Sequence, residues 1–402
     1  MTISFKYLNL IISILVSLLL IFISMDNLLW SNFWSFLGIP YQLPPFSDLD
    51  SINRSLLSYK EGFNPYLENP NDISGSKYIY PKIWLYIFDF LNLNNEINFR
   101  IFCFIIIFSY FFSILNIFTK FKNKLFLVII LFFIFSKINL LLIERLNIDI
   151  IIFLLSCIIL FSSKIYIKFI FFLLTFFLKI YPIFSILIFI KNKKYFFLAL
   201  LFSFISIVLL KDQIVLIKSN MIPYAMLIAY GFETLARGLY HYSINSNLFI
   251  NNENYIFFKN IIIFFGGIFT LSIFLVNFKF GNKAVSSKLL PDENLFLLGG
   301  GIYLGTFLIA TNIDFRLIFL LFTFPLLIKF KNIYIYLYII FYIICLNALF
   351  IESGDRYSIL YALKSIIIHS MKLYIYTLVV YYLSCLINKN LIINLPFLKH
   401  KR

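Results

Sequence analysis

The stretch LFLVIILFFIFSKINLLLIERLNIDIIIFLLSCIILFSS, residues 125–163, decides the fold. Two apolar runs, 125–143 and 149–163, meet at the polar step Glu144-Arg145-Leu146-Asn147-Ile148-Asp149. About 20 apolar residues in helix cross a bilayer's hydrocarbon core, so such runs are candidate spans. The rest of the chain repeats the pattern. Of 402 residues, 62% are hydrophobic and only 13% charged, against about 25% charged in an ordinary globular domain. Mean hydropathy is +0.94. One aqueous core cannot hide so much apolar surface, so lipid is the solvent for most of it. The 53 Phe, 27 Tyr and 3 Trp suit lipid-facing helices with rings at the interfaces.

Further candidate spans are 7–25, 98–118, 165–178, 182–190, 195–210, 258–277, 294–311, 316–328, 332–351 and 371–387. Several are too short to cross alone, and 165–190 reads as a hairpin broken near Pro182. The expected fold is an all-α polytopic membrane protein of about 10–12 helices forming a single integral membrane domain over 1–402. Leu8–Met25 follows Lys6 like a secretory signal. The following Met25-Asp26-Asn27-Leu28-Leu29-Trp30 has no small-x-small cleavage site, so a retained signal-anchor helix is expected.

Lysine placement orients the chain. With a cytoplasmic N-terminus and alternating connections, the inner side holds Lys6, Lys120, Lys122, Lys124, Lys164, Lys168, Lys191, Lys193, Lys194, Lys279, Lys283, Lys288, Lys329, Lys331, Lys389, Lys399, Lys401 and Arg402. Only Asp292 and Glu293 oppose them there, and the remaining charges balance at sixteen of each sign. The net +16 is thus a positive-inside signal, and no nucleic-acid partner is needed to explain it. Both termini are expected in the cytoplasm of a bacterial inner or plasma membrane. Cys103, Cys157, Cys345 and Cys385 lie in apolar runs without CxxC spacing and read as buried thiols. Three histidines make a His-based zinc site improbable.

Two outer connections are long, 26–97 and 211–257. The polar groups gather on that side. They are Asp48 and Asp50 with Arg54, then Gly62-Phe63-Asn64-Pro65-Tyr66 and Tyr80-Pro81. Glu144 to Asp149, Leu178-Lys179-Ile180-Tyr181-Pro182, Glu233 with Arg237 and His241, and Asp314-Phe315-Arg316 complete the set. Ionisable groups near membrane depth are costly and mark function by default. A carboxylate in a semi-apolar cleft gains basicity and suits proton abstraction from a hydroxyl. Arg145, Lys179, Arg237 and Arg316 suit a phosphate, arginine bidentately. Together they fit glycosyl transfer from a lipid-phosphate sugar, with Glu144, Asn147, Asp149, Tyr181, His241 and Asp314 as further substrate contacts.

Each residue also has a structural reading. Asp48 and Asp50 suit the cap of a helix beginning near Ser51. Glu144 and Arg145 suit an exposed pair worth about 0–1 kcal/mol. Lys179 and Arg316 can snorkel, His241 can be a satisfied loop histidine, and Lys137 can bond a neighbouring helix. Gly299-Gly300-Gly301 lacks a Gly-Lys-Ser/Thr continuation and reads as a close-packing helix surface.

At these positions the chain resembles the family 87 glycosyltransferases, polytopic enzymes of the GT-C fold class. The resemblance rests on Asp48, Gly62 to Tyr66, Tyr80-Pro81, Glu144 to Asp149, Leu178 to Pro182 and Asp314 to Leu321, and spans most of the chain. It implies a GT-C-like bundle, a polyprenyl-phosphate sugar donor (typically mannose), a glycan or glycolipid acceptor, and inverting transfer with neither metal nor cofactor. It also implies a catalytic base in the first outer loop, Asp48, with Asp50 as competitor. Lys82 stands where the family often has a second proline, and Leu146 where it has glycine. The alternative is a transporter or flippase for a lipid-linked sugar or small solute, for which internal repeats are expected. A purely structural assembly protein leaves Lys179 unexplained, and an O-antigen-ligase-like enzyme would carry its main outer loop late in the chain.

Overall fold

In lipid, backbone N–H and C=O groups must find partners within their own segment, so these apolar runs wind into helices. The protein is described here from a computed structural model covering residues 3–73, 75–121, 123–220, 229–245, 252–280, 291–309, 312–348 and 359–394. Within these, strand is confined to one two-residue antiparallel pair, Ala229–Tyr230 with Asn312–Ile313. The rest of the regular structure is helix.

The chain divides into two compact units. The first comprises Met1–Phe135, Asn139–Pro182 and Leu201–Ile222. Its α1 (Ile3–Ile23) lies along α5 (Glu96–Phe121). The expected outer connection 26–97 is itself helical, with α2 (Asn27–Phe36), α3 (Ser47–Lys60) and α4 (Ile83–Phe90). Asp26 caps α2, its carboxylate accepting from the Leu28 and Leu29 amides at 2.7 and 3.1 Å, as a side-chain acceptor should at a helix start. Next come α6 (Lys124–Ile134), α7 (Lys137–Arg145), α8 (Asp149–Phe161) and α9 (Ile165–Leu178), the last two packed together. The run 125–143 is not one rod, because α6 and α7 meet at 53°. Asn139 repairs the break. It donates to the Ile134 carbonyl at 2.9 Å and accepts from the Tyr110 hydroxyl, satisfying groups that the bend exposes. A second break of 70° separates α10 (Lys193–Leu209) from α11 (Lys211–Asn220).

The second unit comprises Ser136–Ile138, Ile183–Leu200 and Pro223–Arg402. It contains α12 (Phe232–Asn245), α13 (Asn252–Phe280), α14 (Pro291–Ile309), α15 (Phe324–Leu327), α16 (Ile333–Leu346) and α17 (Ile359–Asn394). Two segments expected as spans, 182–190 and 316–328, are tight 3₁₀ turns over Tyr181–Phe189 and Asp314–Phe322, the latter followed by α15. The glycines of α14 let these turns approach. A methyl group on Gly299 would stand 2.3 Å from the Phe319 carbonyl oxygen, and one on Gly301 2.6 Å from that of Phe184.

Among the described residues three helices have both length and apolarity to cross a membrane, over Glu96–Ile117, Tyr255–Asn277 and Leu363–Asn388. Counting each bent pair as one span gives up to five, fewer than the 10–12 expected. Part of the difference lies in the two 3₁₀ turns, and part in Asp149–Phe161, Ile165–Leu178 and Ile333–Leu346, apolar helices of 13, 14 and 14 residues. At 1.5 Å per residue these cover roughly 15–25 Å of a core about 30 Å thick. The four cysteines are free and buried.

Lys372, in the apolar run of α17, is 1% exposed and pairs at 2.7 Å with Asp314, which is fully buried. Its ammonium also donates to the Ala229 carbonyl at 2.9 Å, tying α17 to the strand pair. Removing one partner of a buried pair strands the other charge and costs about 3–5 kcal/mol, whereas replacing both is often near neutral. Thermal unfolding in detergent should therefore order Lys372→Met well below wild type, with Lys372→Met/Asp314→Leu recovering most of the loss.

Candidate functional site

Helix α3 positions the first carboxylates. Phe46 precedes it in the left-handed region (φ 61°), a conformation most L-residues avoid. Its ring is buried against Trp30, centroids 4.9 Å apart, so packing holds the turn. Asp48 and Asp50 then fall in the first turn, where the helix dipole favours negative charge. The two diverge from there. Asp50 is held by Arg54 one turn later at 2.5 Å. Asp48 instead accepts a hydrogen bond from the Asn147 amide.

The Glu144–Asp149 step supplies the facing wall. Glu144, wholly buried, accepts from the Gln42 amide at 2.7 Å and pairs with Arg145 Nε at 2.8 Å. It thereby pins the chain leading into α3. Leu146 has φ 45°, and this left-handed turn is kept by a leucine whose side chain is 1% exposed. Asn147 then works at both ends. Its Oδ1 accepts the Asp149 amide at 3.0 Å, capping α8, and its Nδ2 points at Asp48.

The third wall follows α9. Lys179, in extended backbone (φ −159°, ψ 136°), donates to Asp149, as does the Tyr181 hydroxyl at 2.8 Å. The ammonium lies 5.8 Å from the Tyr80 ring and 5.5 Å from that of Tyr181, within cation–π range. Trp84 Nε1 donates to the Leu178 carbonyl at 2.9 Å, docking α4 on the end of α9 by filling a carbonyl the helix leaves unpaired.

Asp48, Glu144, Arg145, Asn147, Asp149, Lys179 and Tyr181 thus gather within the first unit, from sequence positions up to 133 apart. Asp48 keeps part of its surface open. Loss of hydration there pushes its carboxyl above the usual carboxylate range and prevails over Arg145, the Asn147 hydrogen bond and Lys179, which pull it down. Asp149 adds to the rise. Asp50 is also raised by burial, against Arg54. Among the described residues the Arg145 guanidinium is engaged only through Nε, by its sequence neighbour Glu144. Its two terminal amino groups keep the donor fork that suits an oxyanion.

Arg237, His241, Asp314 and Arg316 belong to the second unit. Arg237 is held by Glu233 at 2.7 Å, with Lys259 3.8 Å from the same oxygen. Asp314 is committed to Lys372, and Arg316 lies in the 3₁₀ turn beginning at Asp314. The His241 side chain lies outside the described residues, as does Thr311. Lys372 escaped the reading of motifs, though a lone lysine in a long apolar helix was the available signal. Gly62 proves to be a helix stop. At φ 92° its amide donates to the Tyr59 carbonyl, and that of Phe63 to Ser58, the Schellman pattern that glycine favours. Among the described residues no three His, Cys, Asp or Glu side chains gather to hold a metal ion.

No family model, curated protein or solved structure matches this chain.

A carboxyl with a raised folded-state pKa binds its proton more tightly folded than unfolded. Its cost to stability is absent at low pH and develops as pH rises through the folded value. Asp48→Asn removes that cost. Its unfolding temperature in detergent should exceed wild type at pH 8, and the difference should close toward pH 4.

Proposed function

We propose that this protein is a membrane glycosyltransferase of GT-C-like architecture, with Asp48 as the general base. It moves a hexose from a polyprenyl-phosphate donor to an acceptor hydroxyl on the outer face of the membrane. The observation that carries this reading is the placement of a partly open, basicity-enhanced carboxylate beside an arginine with a free fork. The resemblance of the same residues to family 87 glycosyltransferases supports it.

In the proposed reaction Asp48 takes the proton of the acceptor hydroxyl, and the oxygen attacks the anomeric carbon with inversion. The bond to phosphate breaks and polyprenyl phosphate leaves with the electron pair. Arg145 meets the phosphate through its terminal amino groups. Asn147 orients Asp48, while Lys179 and Tyr181 hold Asp149 at the start of α8 and keep the wall in register. Asp50, neutralised by Arg54, is the less suited of the two bases. The hydrocarbon tail stays in lipid while the sugar stands at its edge.

A transporter reading is favoured by the two broken helices, since interrupted spans mark many transport sites. Transfer of labelled hexose from polyprenyl phosphate in detergent separates the two, because no vectorial step exists there. Asp48→Asn should lower kcat by about 10²–10⁴-fold, the usual contribution of a general base, while the protein still inserts and purifies. Arg145→Ala should cost transfer chiefly through kcat, and Arg145→Lys should not restore it, lacking the fork. In wild type, kcat/KM should fall as pH drops through an acid limb displaced above the ordinary aspartate range. Full activity of Asp48→Asn, or transfer absent under every donor tried, ends the proposal.

A further inference from the structure

The far end of α3 opens on a cavity of about 550 Å³, inside the range of roughly 300–1,000 Å³ usual for small-molecule sites. Its walls are the Gly62–Tyr66 turn, Tyr59, Lys82 and the start of α11 at Asp212 and Gln213, all in the first unit. Tyr59 stands eleven residues beyond Asp48 on one helix, about 16 Å at 1.5 Å per residue. Whatever fills this cavity is therefore not the reacting sugar.

Asn64 and Gln213 are held by Tyr66, and each keeps hydrogen-bonding capacity free. Asn64 Oδ1 accepts the Tyr66 amide at 3.2 Å, which turns its Nδ2 donors outward. Gln213 Nε2 donates to the Tyr66 hydroxyl at 2.6 Å, which leaves Oε1 as an acceptor. Among the described residues neither leftover group has a partner, and neither does the Asp212 carboxylate. Lys82 Nζ is held 4.7 Å from the Tyr59 ring and 5.6 Å from that of Tyr86. Tyr59 and Phe63 are each 37% exposed and supply apolar ring surface beside these donors and acceptors. A pyranose presents the complement, an apolar face of C–H groups ringed by hydroxyls that both donate and accept. The Asp212 carboxylate and the Lys82 ammonium leave the lining without net charge, which favours a neutral sugar over an acidic one.

We propose that this cavity binds a neutral hexopyranose residue of a glycan, stacked on Phe63 or Tyr59 and hydrogen-bonded by Asn64, Asp212 and Gln213. As the distal subsite of an acceptor it rests on the glycosyl-transfer reading; as a sugar site it does not.

The test is a glycan array of neutral and acidic oligosaccharides probed with fluorescently labelled full-length protein in nanodiscs. Wild type should retain neutral hexose oligosaccharides and ignore the acidic ones. Phe63→Ala and Asp212→Asn, both at exposed positions and checked for unchanged unfolding temperature, should weaken retention at least tenfold. Asp48→Asn should bind as wild type, so that a failure of transfer removes the reaction without removing the site. The proposal is overturned if no neutral glycan is retained. It is equally overturned if Phe63→Ala and Asp212→Asn bind like wild type, or if binding is lost with Asp48→Asn.

Discussion

A buried carboxylate in an apolar setting must find a cation or give up its charge, and that constraint organises both units. Taking a carboxylate out of water costs several kcal/mol even after relaxation. The deeply placed acids meet it one by one. Glu144 is answered by Arg145, Asp149 by Lys179, Glu233 by Arg237, Asp292 by Lys329 and Asp314 by Lys372. Asp149–Lys179, Asp292–Lys329 and Asp314–Lys372 each join two elements, and Glu144–Arg145 closes α7, so these pairs fix where short helices stop and what they touch. Asp48 breaks the pattern. It has an amide hydrogen bond and only the field of cations already paired elsewhere. An acid left without its own counter-ion is the natural place to look for proton chemistry.

The helices were legible because apolar runs in lipid have no other option. Their lengths were less so. In 125–143 only Ser136, Lys137 and Asn139 interrupt the hydropathy, yet α6 and α7 part there at 53°. What makes the break stable is Asn139 reaching back to Ile134, a contact no window average can see. The 3₁₀ turns at 181–189 and 314–322 carry the hydropathy of spans without being spans, for a similar reason. Their register is set by glycines on α14 that admit backbone to within contact of backbone. Composition marked those glycines as a packing surface but not what packs there.

The site was legible in part. Asp48, Glu144 to Asp149, Lys179 and Tyr181 stand out as polar residues among apolar neighbours, and hydrogen bonds and ion pairs do join them in one cluster. Their division of labour could not be read. Asp48 and Asp50 are equivalent on paper, and only the i,i+4 position of Arg54 separates them. Leu146 argued against a tight helix end, since leucine resists positive φ, but burial of its side chain holds the turn at φ 45°. Local propensity yields wherever tertiary packing offers more.

Charge balance within the cluster bears on the order of events in the proposed reaction. Asp48, Glu144 and Asp149 share two cations, Arg145 and Lys179, so with Asp48 ionised the cluster has no surplus positive charge. A phosphodiester brings a further negative charge. As the acceptor proton moves onto Asp48 the cluster gives up one negative charge, while the departing phosphate gains the second charge that its broken ester bond leaves behind. Negative charge thus migrates from a position flanked by Asn147 to one within reach of Arg145's free fork. Interactions that strengthen only as that migration proceeds lower the barrier without tightening the ground state. An Asp48 already inclined to hold a proton, by burial and by its acidic neighbour, favours the same direction.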